Sequence, residues 1–265
     1  MRLPRKGKIS LIDPRAIIDP TATIGENVSI GPWSIVGPDV KIGNNCTIAS
    51  HVVIKGPTEI GSDNKIYQFS TIGDDTPDLK FKGEKTKLFI GDHNTIREGV
   101  TIHRGTVQDK GETRIGSHNL LMAYAHVGHD SVVGDHVIMV NNASLAGHVS
   151  VGDWAILSGY SLIHQYVSIG SHCFIGPAAF TYHDVPALVT AFGSPAEPRT
   201  INREGLKRRG FTADQISLAN KAYKILYRRG LQLDEAIKAI SELGDDKILT
   251  LLLDSLVNSK RGIIR

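Results

Sequence analysis

The sequence predicts a mainly β protein with an α-helical C-terminal domain, its β part a prism of short parallel strands wound around an aliphatic core. Three observations predict this. Aliphatic residues recur every six positions through most of the chain. Glycine is abundant, at 27 of 265 residues, and follows the aliphatic at many of these steps. Beyond residue 200 the apolar spacing becomes helical. A period of six is neither the roughly 3.6 of an α-helix nor the 2 of an ordinary amphipathic strand. It suits strands of a few residues joined by tight turns, with one aliphatic per strand pointing inward and glycine relieving the turn. Three hexads close one triangular coil, so residues three hexads apart should stack on each other.

The elements follow in order. From Ile12 the repeat runs through Ile18, Ile24, Ile30, Val36, Ile42, Ile48, Ile54, Ile60 and Ile66 to Ile72 without a slip. It returns in phase at Ile90, Ile96 and Ile102, shifts by one residue, and continues from Ile115 to Ile175. Four residues after the aliphatic comes a small or β-branched residue, such as Ser34, Val52, Ser131 or Ala143. Cys46 and Cys173 fall on that position and are expected to be small core residues. Two segments break the pattern, "GDDTPDLKFKGEKTKLF" and "HRGTVQDKGETR". They read as loops near 74–89 and 103–114, thrown out of the coil, and long loops on a rigid scaffold often carry function. After Ile175 the hexads stop, and "TYHDVPALVTAFGSPAEPRT" reads as a proline-rich connector, which assigns 1–199 to the coil. Within 200–265, Thr212 to Gln215 form a capping box. "ISLANKAYKILYRRG" then has helical spacing and a glycine stop, and two more helices are expected near 233–243 and 246–258. This domain carries a net charge of +5 against +3 for the whole chain, so the helical end is the basic end.

Composition narrows the function classes. No apolar run approaches the roughly 20 residues of a membrane-spanning helix. The basic start "MRLPRKGKIS" is followed by "LIDPRAIID", which lacks the apolar block of a signal peptide. Two cysteines cannot build a disulfide framework. The expectation is a soluble, cytoplasmic protein that is not integral to a membrane and does not bind nucleic acid.

The densest chemistry lies in "MAYAHVGHDSVVGDH", residues 122–136. His129 is two residues past the aliphatic Val127. One coil further on the same register holds Gly147, beside His148, and the next holds Gln165, beside His164. The coil should therefore bring His129, Gly147–His148 and His164–Gln165 into one strip at a corner of the prism, with His126 alongside. His118 and His136 fall elsewhere and are expected on the surface. A neutral imidazole can accept a proton at physiological pH, and the adjacent Asp130 can orient it. A glycine at the facing position lets a substrate carbonyl reach a backbone N–H, an oxyanion donor.

The hexads resemble the hexapeptide-repeat family, whose fold is a left-handed parallel β-helix, an exception to the usual right-handed crossover. Some of its members, the γ-class carbonic anhydrases, hold zinc through three histidines across a subunit interface. His126, His129 and His148 make a comparable set, and spacing alone does not separate zinc ligands from a proton acceptor. Further motifs occur in order across nearly the whole chain: "IYQFSTIG", "PDLKFKGE", "IREGVTIHRGTV", "NLLMAYAHVGHD", "NNASLAGHVSV", "SGYSLIHQYVSIG" and "REGLKRRGF". Together they resemble the bacterial acyl-carrier-protein–UDP-N-acetylglucosamine O-acyltransferases, which catalyse the first step of lipid A biosynthesis.

That resemblance implies a homotrimer with active sites between subunits. It implies transfer of a β-hydroxyacyl chain from acyl carrier protein to the sugar 3-hydroxyl. No cofactor is implied beyond the phosphopantetheine on which the donor is carried, and no metal. His129 becomes the general base, Asp130 its partner and Gly147 the oxyanion donor. Asp78, Lys80, His126, His148, His164 and Gln165 match residues that hold the sugar, phosphates or acyl group. Asn202, Glu204, Arg208 and Arg209 match the nucleotide and phosphopantetheine region. Pro177, in "CFIGPAAF", matches a position at the end of the acyl groove and is expected to limit acyl length. Pro77 departs from the polar residue common before the Asp-x-Lys. The basic helical end suits an acidic carrier protein.

Overall fold

Each hexad folds as a strand of two to four residues in which the aliphatic points inward and the residue before it points out. In this computed structural model, which describes residues 11–265, the strands make three parallel sheets. The first ten residues of the assigned coil, with the basic start, lie outside the described residues. Pairing is three hexads apart, as in Ile17 with Ile35, Thr23 with Lys41 and Ser29 with Thr47. The chain visits the faces in rotation as a left-handed parallel β-helix. Face one has nine strands, from Ile17–Ile18 to Phe180–Thr181. Face two has eight, from Thr23–Ile24 to Ser168–Ile169, and face three has ten, beginning at Ser29–Ile30. Ile48, Ile54, Ile66, Leu121 and Met139 are fully buried along the axis, and Cys46 and Cys173 fill corners of the core.

Apart from Gly73 and Gly99, which are left-handed themselves, glycine does not relieve the turns. The left-handed residue of each turn comes two positions later, and it is usually Asn, Asp, His or an aromatic, as at Asn27, Asn45, His136 and Tyr160. The glycine instead permits close stacking: a Cβ on Gly43 would lie 2.6 Å from the Gly61 carbonyl carbon of the next coil. A left-handed conformation costs a non-glycine residue roughly 1–2 kcal/mol. Ring stacking offsets part of this cost along the corner between faces two and three. There His93, His118, His136 and Trp154 stack in turn at centroid spacings of 4.8, 4.8 and 3.9 Å. His118 is exposed, as expected, while His136, also expected on the surface, is half-buried; both are members of this aromatic column.

Both excursions leave face one and re-enter at face two. They span 75–86 and 104–111, because the flanking residues Thr71–Asp74, Lys87–Ile90, Thr101–His103 and Glu112–Ile115 are strands. The expected connector is also partly sheet. Val189–Phe192 extends face three in parallel with Phe174–Ile175, and Glu197–Ile201 returns antiparallel, carrying the sheet past residue 199. Its proline content hid this, since Pro198 sits on the outermost strand, where a missing N–H is tolerated. Four helices follow: α1 (Arg203–Arg208), α2 (Ala213–Arg228), α3 (Leu233–Ser241) and α4 (Lys247–Val257). Thr212 and Gln215 cap α2 reciprocally, whereas α1, hidden in "REGLKR", is capped by Asn202. No helix among the described residues is long and apolar enough to cross a membrane.

Candidate active site

The corner between faces one and two carries the predicted strip. The coils lock there through His148 N–H donating to the His129 carbonyl at 2.8 Å and Tyr166 N–H to the Gly147 carbonyl at 3.2 Å. The His129 ring lies directly over Gly147, where an added Cβ would sit 2.5 Å from Nε2. Only glycine leaves room for the imidazole and for a substrate atom beside it. The equivalent N–H groups on the next corner are occupied: Ser117 N–H donates to Asp135 Oδ1 at 2.6 Å and Asp135 N–H to Asp153 Oδ1 at 2.8 Å. Gly147 has Gln165, an exposed residue, one coil above it, and among the described residues its N–H donates to no such side chain. That donor is open at the site.

His129 Nδ1 donates to Asp130 Oδ2 at 2.8 Å, which leaves Nε2 with a free lone pair. Asp130 is buried, and burial works against its charge. The hydrogen bonds from His129 and from the Thr106 hydroxyl and N–H, at 2.7 and 2.9 Å, prevail and hold its carboxyl below the usual range. An ionised aspartate therefore fixes the imidazole tautomer and favours the imidazolium that forms when Nε2 takes a proton. Asp109 performs the same service for His148, accepting from Nδ1 at 2.9 Å, while Nε2 points toward Asp130 Oδ2 at 3.9 Å. Tyr166 stacks on the other side of the His148 ring at 4.3 Å.

His126 is beside the strip, on the outer side of face one. Its Nδ1 meets the Thr101 hydroxyl at 2.8 Å, and its ring meets His103 edge-on at 5.1 Å. Burial, helped by the neighbouring His103 and His129, pushes its pKa down to about 4. It is therefore a neutral hydrogen-bonding group at working pH. The donors that converge for a metal are His129, Asp130 and His148, within 4.8 Å of one another. The alternative three-histidine zinc set is not brought together among the described residues, because His126 stands outside this group, and both Asp130 oxygens already accept hydrogen bonds.

Other predicted residues lie further off. Asp78 and Lys80 are on the first excursion, at the same corner as His129. There Asp78 Oδ1 accepts from the Lys80 N–H at 3.0 Å and the intervening Leu79 is fully exposed. The buried Arg104 ties the two excursions together through the Gly73 carbonyl and Asp75. His164 lies beside Gln165 and packs edge-on to Phe180 at 6.5 Å. Pro177 is exposed at the corner between faces three and one. Asn202 spends its side chain on the fold: Oδ1 accepts from Gly205 N–H and Nδ2 donates to the His172 carbonyl. Glu204 is exposed in the first turn of α1. Arg208 and Arg209 line a cleft of about 420 Å³ with Trp154, His172, Phe211 and Lys247, at the corner between faces two and three. Arg209 lies 5.0 Å over the Trp154 ring, and burial together with Arg209 and Lys247 lowers the His172 pKa to about 4, against the pull of Asp153.

Sequence reasoning missed Thr106, Asp109, His103 and Tyr166. The motif "IHRGTV" pointed at the first and third, but a loop without period carries no register to say what it touches.

Comparisons with known proteins agree with this architecture. A family profile described as bacterial transferase hexapeptide repeats matches residues 21–56 and 112–147, and one described as UDP-N-acetylglucosamine O-acyltransferase domain 2 matches 184–264. The chain is similar to an acyl-[acyl-carrier-protein]–UDP-N-acetylglucosamine O-acyltransferase of Saccharophagus degradans, 57% identical over 97% of this chain and 100% of that one. It is also similar to one of Pseudomonas putida, 62% identical over 96% of this chain and 99% of that one. Among solved structures, a UDP-N-acetylglucosamine O-acyltransferase from Moraxella catarrhalis superposes with a TM-score of 0.95 at 46% identity, covering 96% of this chain and 100% of the other.

Proposed function

This chain belongs to the acyl-[acyl-carrier-protein]–UDP-N-acetylglucosamine O-acyltransferase family, and we propose that it transfers a β-hydroxyacyl chain from acyl carrier protein to the 3-hydroxyl of UDP-N-acetylglucosamine, as the first step of lipid A biosynthesis. The observation that carries the mechanism is the His129–Asp130 pair over Gly147. The sugar hydroxyl gives its proton to His129 Nε2 as its oxygen attacks the thioester carbonyl carbon. The tetrahedral oxyanion is met by the Gly147 N–H. When the intermediate collapses, the C–S bond breaks and the imidazolium returns the proton to the departing thiolate, leaving an ester and a free thiol. No step calls for a metal or a bound cofactor, because the donor brings its own phosphopantetheine arm.

A homotrimer is part of this proposal. The residues assigned to one reaction sit at three corners of a single prism: His129 at one, Arg208 and Arg209 at the second, Pro177 at the third. One chain cannot gather them, whereas three prisms packed side by side set corners of neighbouring chains against each other. The exposed apolar side chains agree, since Ile17, Ile35 and Leu162 on face one and Trp33, Phe69, Tyr124 and Tyr160 on its adjoining corner form a surface suited to a second copy. We place the enzyme in the cytoplasm, where its nucleotide sugar and carrier protein are made. The test is His129→Ala, assayed by acyl transfer to UDP-N-acetylglucosamine. Turnover should fall about 10²- to 10⁴-fold with the melting temperature retained; wild-type turnover would remove His129 as the base.

A further inference from the structure

We propose that Arg104 is a positioning residue for the nucleotide sugar: it grips the root of the first excursion and so sets where Asp78 and Lys80 stand relative to His129. Arg104 lies two residues beyond Ile102, as His129 lies two beyond Val127, and Ile102 pairs with Val127 in the next coil. Arg104 therefore occupies the same corner as the His129 imidazole, one coil earlier. Its N–H donates to the Asp74 carbonyl at 3.1 Å, its Nη1 to the Gly73 carbonyl and its Nη2 to the Asp75 carboxylate. One residue thus holds three consecutive positions where the strand Thr71–Asp74 ends and the excursion begins. The strand is irregular there: its register shifts between Ile72 and Asp74, and Gly73 is left-handed at φ 74°. Lys55 pairs with the Asp74 carboxylate at 2.7 Å, so the strand end is fixed from two sides. Asp75 is the first residue whose direction the guanidinium decides.

The Arg104 side chain is only 9% exposed. A guanidinium is costly to bury, and a buried ion pair adds little net stability over apolar packing; what it adds here is a fixed geometry. Beyond the root, the hydrogen bonds of residues 76–86 among the described residues run within the excursion, as from Phe81 N–H to the Asp78 carbonyl at 2.9 Å. Lys85 pairs with Asp39 at 3.1 Å, but both side chains are exposed and such pairs contribute little. The second excursion has its own ties: Gly105 N–H donates to the Lys87 carbonyl at 3.2 Å, and Thr106 bonds twice to Asp130. Losing the grip should therefore loosen the sugar and spare the base. The inference rests on the acyltransferase reading, which assigns Asp78 and Lys80 to the nucleotide sugar.

The test compares Arg104→Gln, Arg104→Lys and Asp75→Ala in steady-state transfer kinetics and thermal melts. Asp75 has a side chain 54% exposed, so Asp75→Ala keeps the fold even where Arg104→Gln does not. KM for the nucleotide sugar should rise about tenfold in Asp75→Ala and Arg104→Gln, the loss of one charge-assisted hydrogen bond. The kcat should stay close to wild type, because uniform binding is what is lost. Arg104→Lys keeps the charge but offers a point donor that does not span both acceptors, and its KM should fall between wild type and Arg104→Gln. Combining Arg104→Gln with Asp75→Ala should raise KM little further, since both break the same contact. An active wild-type enzyme whose variants melt lower at unchanged KM would make Arg104 a stabilising residue and overturn the inference alone. A wild-type enzyme without acyl transfer would overturn the acyltransferase reading and this inference with it.

Discussion

Replacing Gly147 with alanine tests the reaction centre with a single carbon. Gly147 is outside the left-handed region, so its backbone accepts alanine without strain. The new Cβ, however, would lie 2.5 Å from His129 Nε2 and 2.6 Å from Cε1. Carbon contacts settle near 3.5–4.0 Å, so the ring must retreat by about 1 Å. Retreat stretches the 2.8 Å bond to Asp130 and moves Nε2 from where a hydroxyl proton is taken. A misplacement of about 1 Å costs on the order of 10²-fold in rate. The same Cβ narrows the approach to the Gly147 N–H, which adds to the loss. We expect kcat for acyl transfer to fall about 10²-fold or more, with a smaller change in KM for the nucleotide sugar. The fold should survive, because the His129 side chain is at the surface of the prism and 15% exposed. Gly37→Ala is the control: its Cβ would lie 3.3 Å from the nearest atom, the Ile54 carbonyl oxygen, which yields by a few tenths of an ångström. Steady-state transfer assays on both variants, with thermal melts, decide the matter. A folded Gly147→Ala enzyme with wild-type kcat would show that neither the ring position nor this N–H governs the reaction.

Three further outcomes are expected. Asp109→Ala removes the carboxylate on His148 Nδ1. A hydrogen bond to a charged group contributes about 1.5–3 kcal/mol, so kcat/KM should drop by roughly ten- to a hundredfold with little change in melting temperature, and an unchanged kcat/KM would leave the pair without a role. Stability should decline as pH falls from about 6.5 to about 4. Over that window the unfolded chain protonates His126 and His172 while the folded chain, with both held down to about 4, does not. The effect is at most about 3 kcal/mol for each. His172→Gln, measured by denaturant melts at pH 7 and pH 5, should flatten the slope, and an identical slope would contradict the assignment. Pro177→Gly should shift preference toward longer acyl donors, by about fourfold per methylene that becomes buried. Competition between donors of different length measures this, and a preference that does not move would mean another residue limits the chain.

The sequence by itself determined the coil and most of its register. Where the repeat is unbroken, parallel coils stack at a constant offset in residue number, so the aliphatic period that buries Ile48 and Ile66 also dictates that His129, Gly147 and Gln165 occupy one register in successive coils. Helix α2 was equally legible, because the Thr212–Gln215 capping box is local. Wherever the period lapses, the register goes with it. The excursion 104–111 has none, so only the folded chain brings Thr106 onto Asp130 and Asp109 onto His148. Glycine's role was misread for a related reason. A Cβ on Gly43 meets a carbonyl carbon in another coil, a distance that no local pattern contains. The aromatic column at His136 and Trp154, and the pairing of Arg104 with Asp75, depend likewise on side chains meeting across elements. Periodicity determines where the backbone goes, but which polar atoms converge is decided by loops and edges, where contacts are made between residues that no repeat relates.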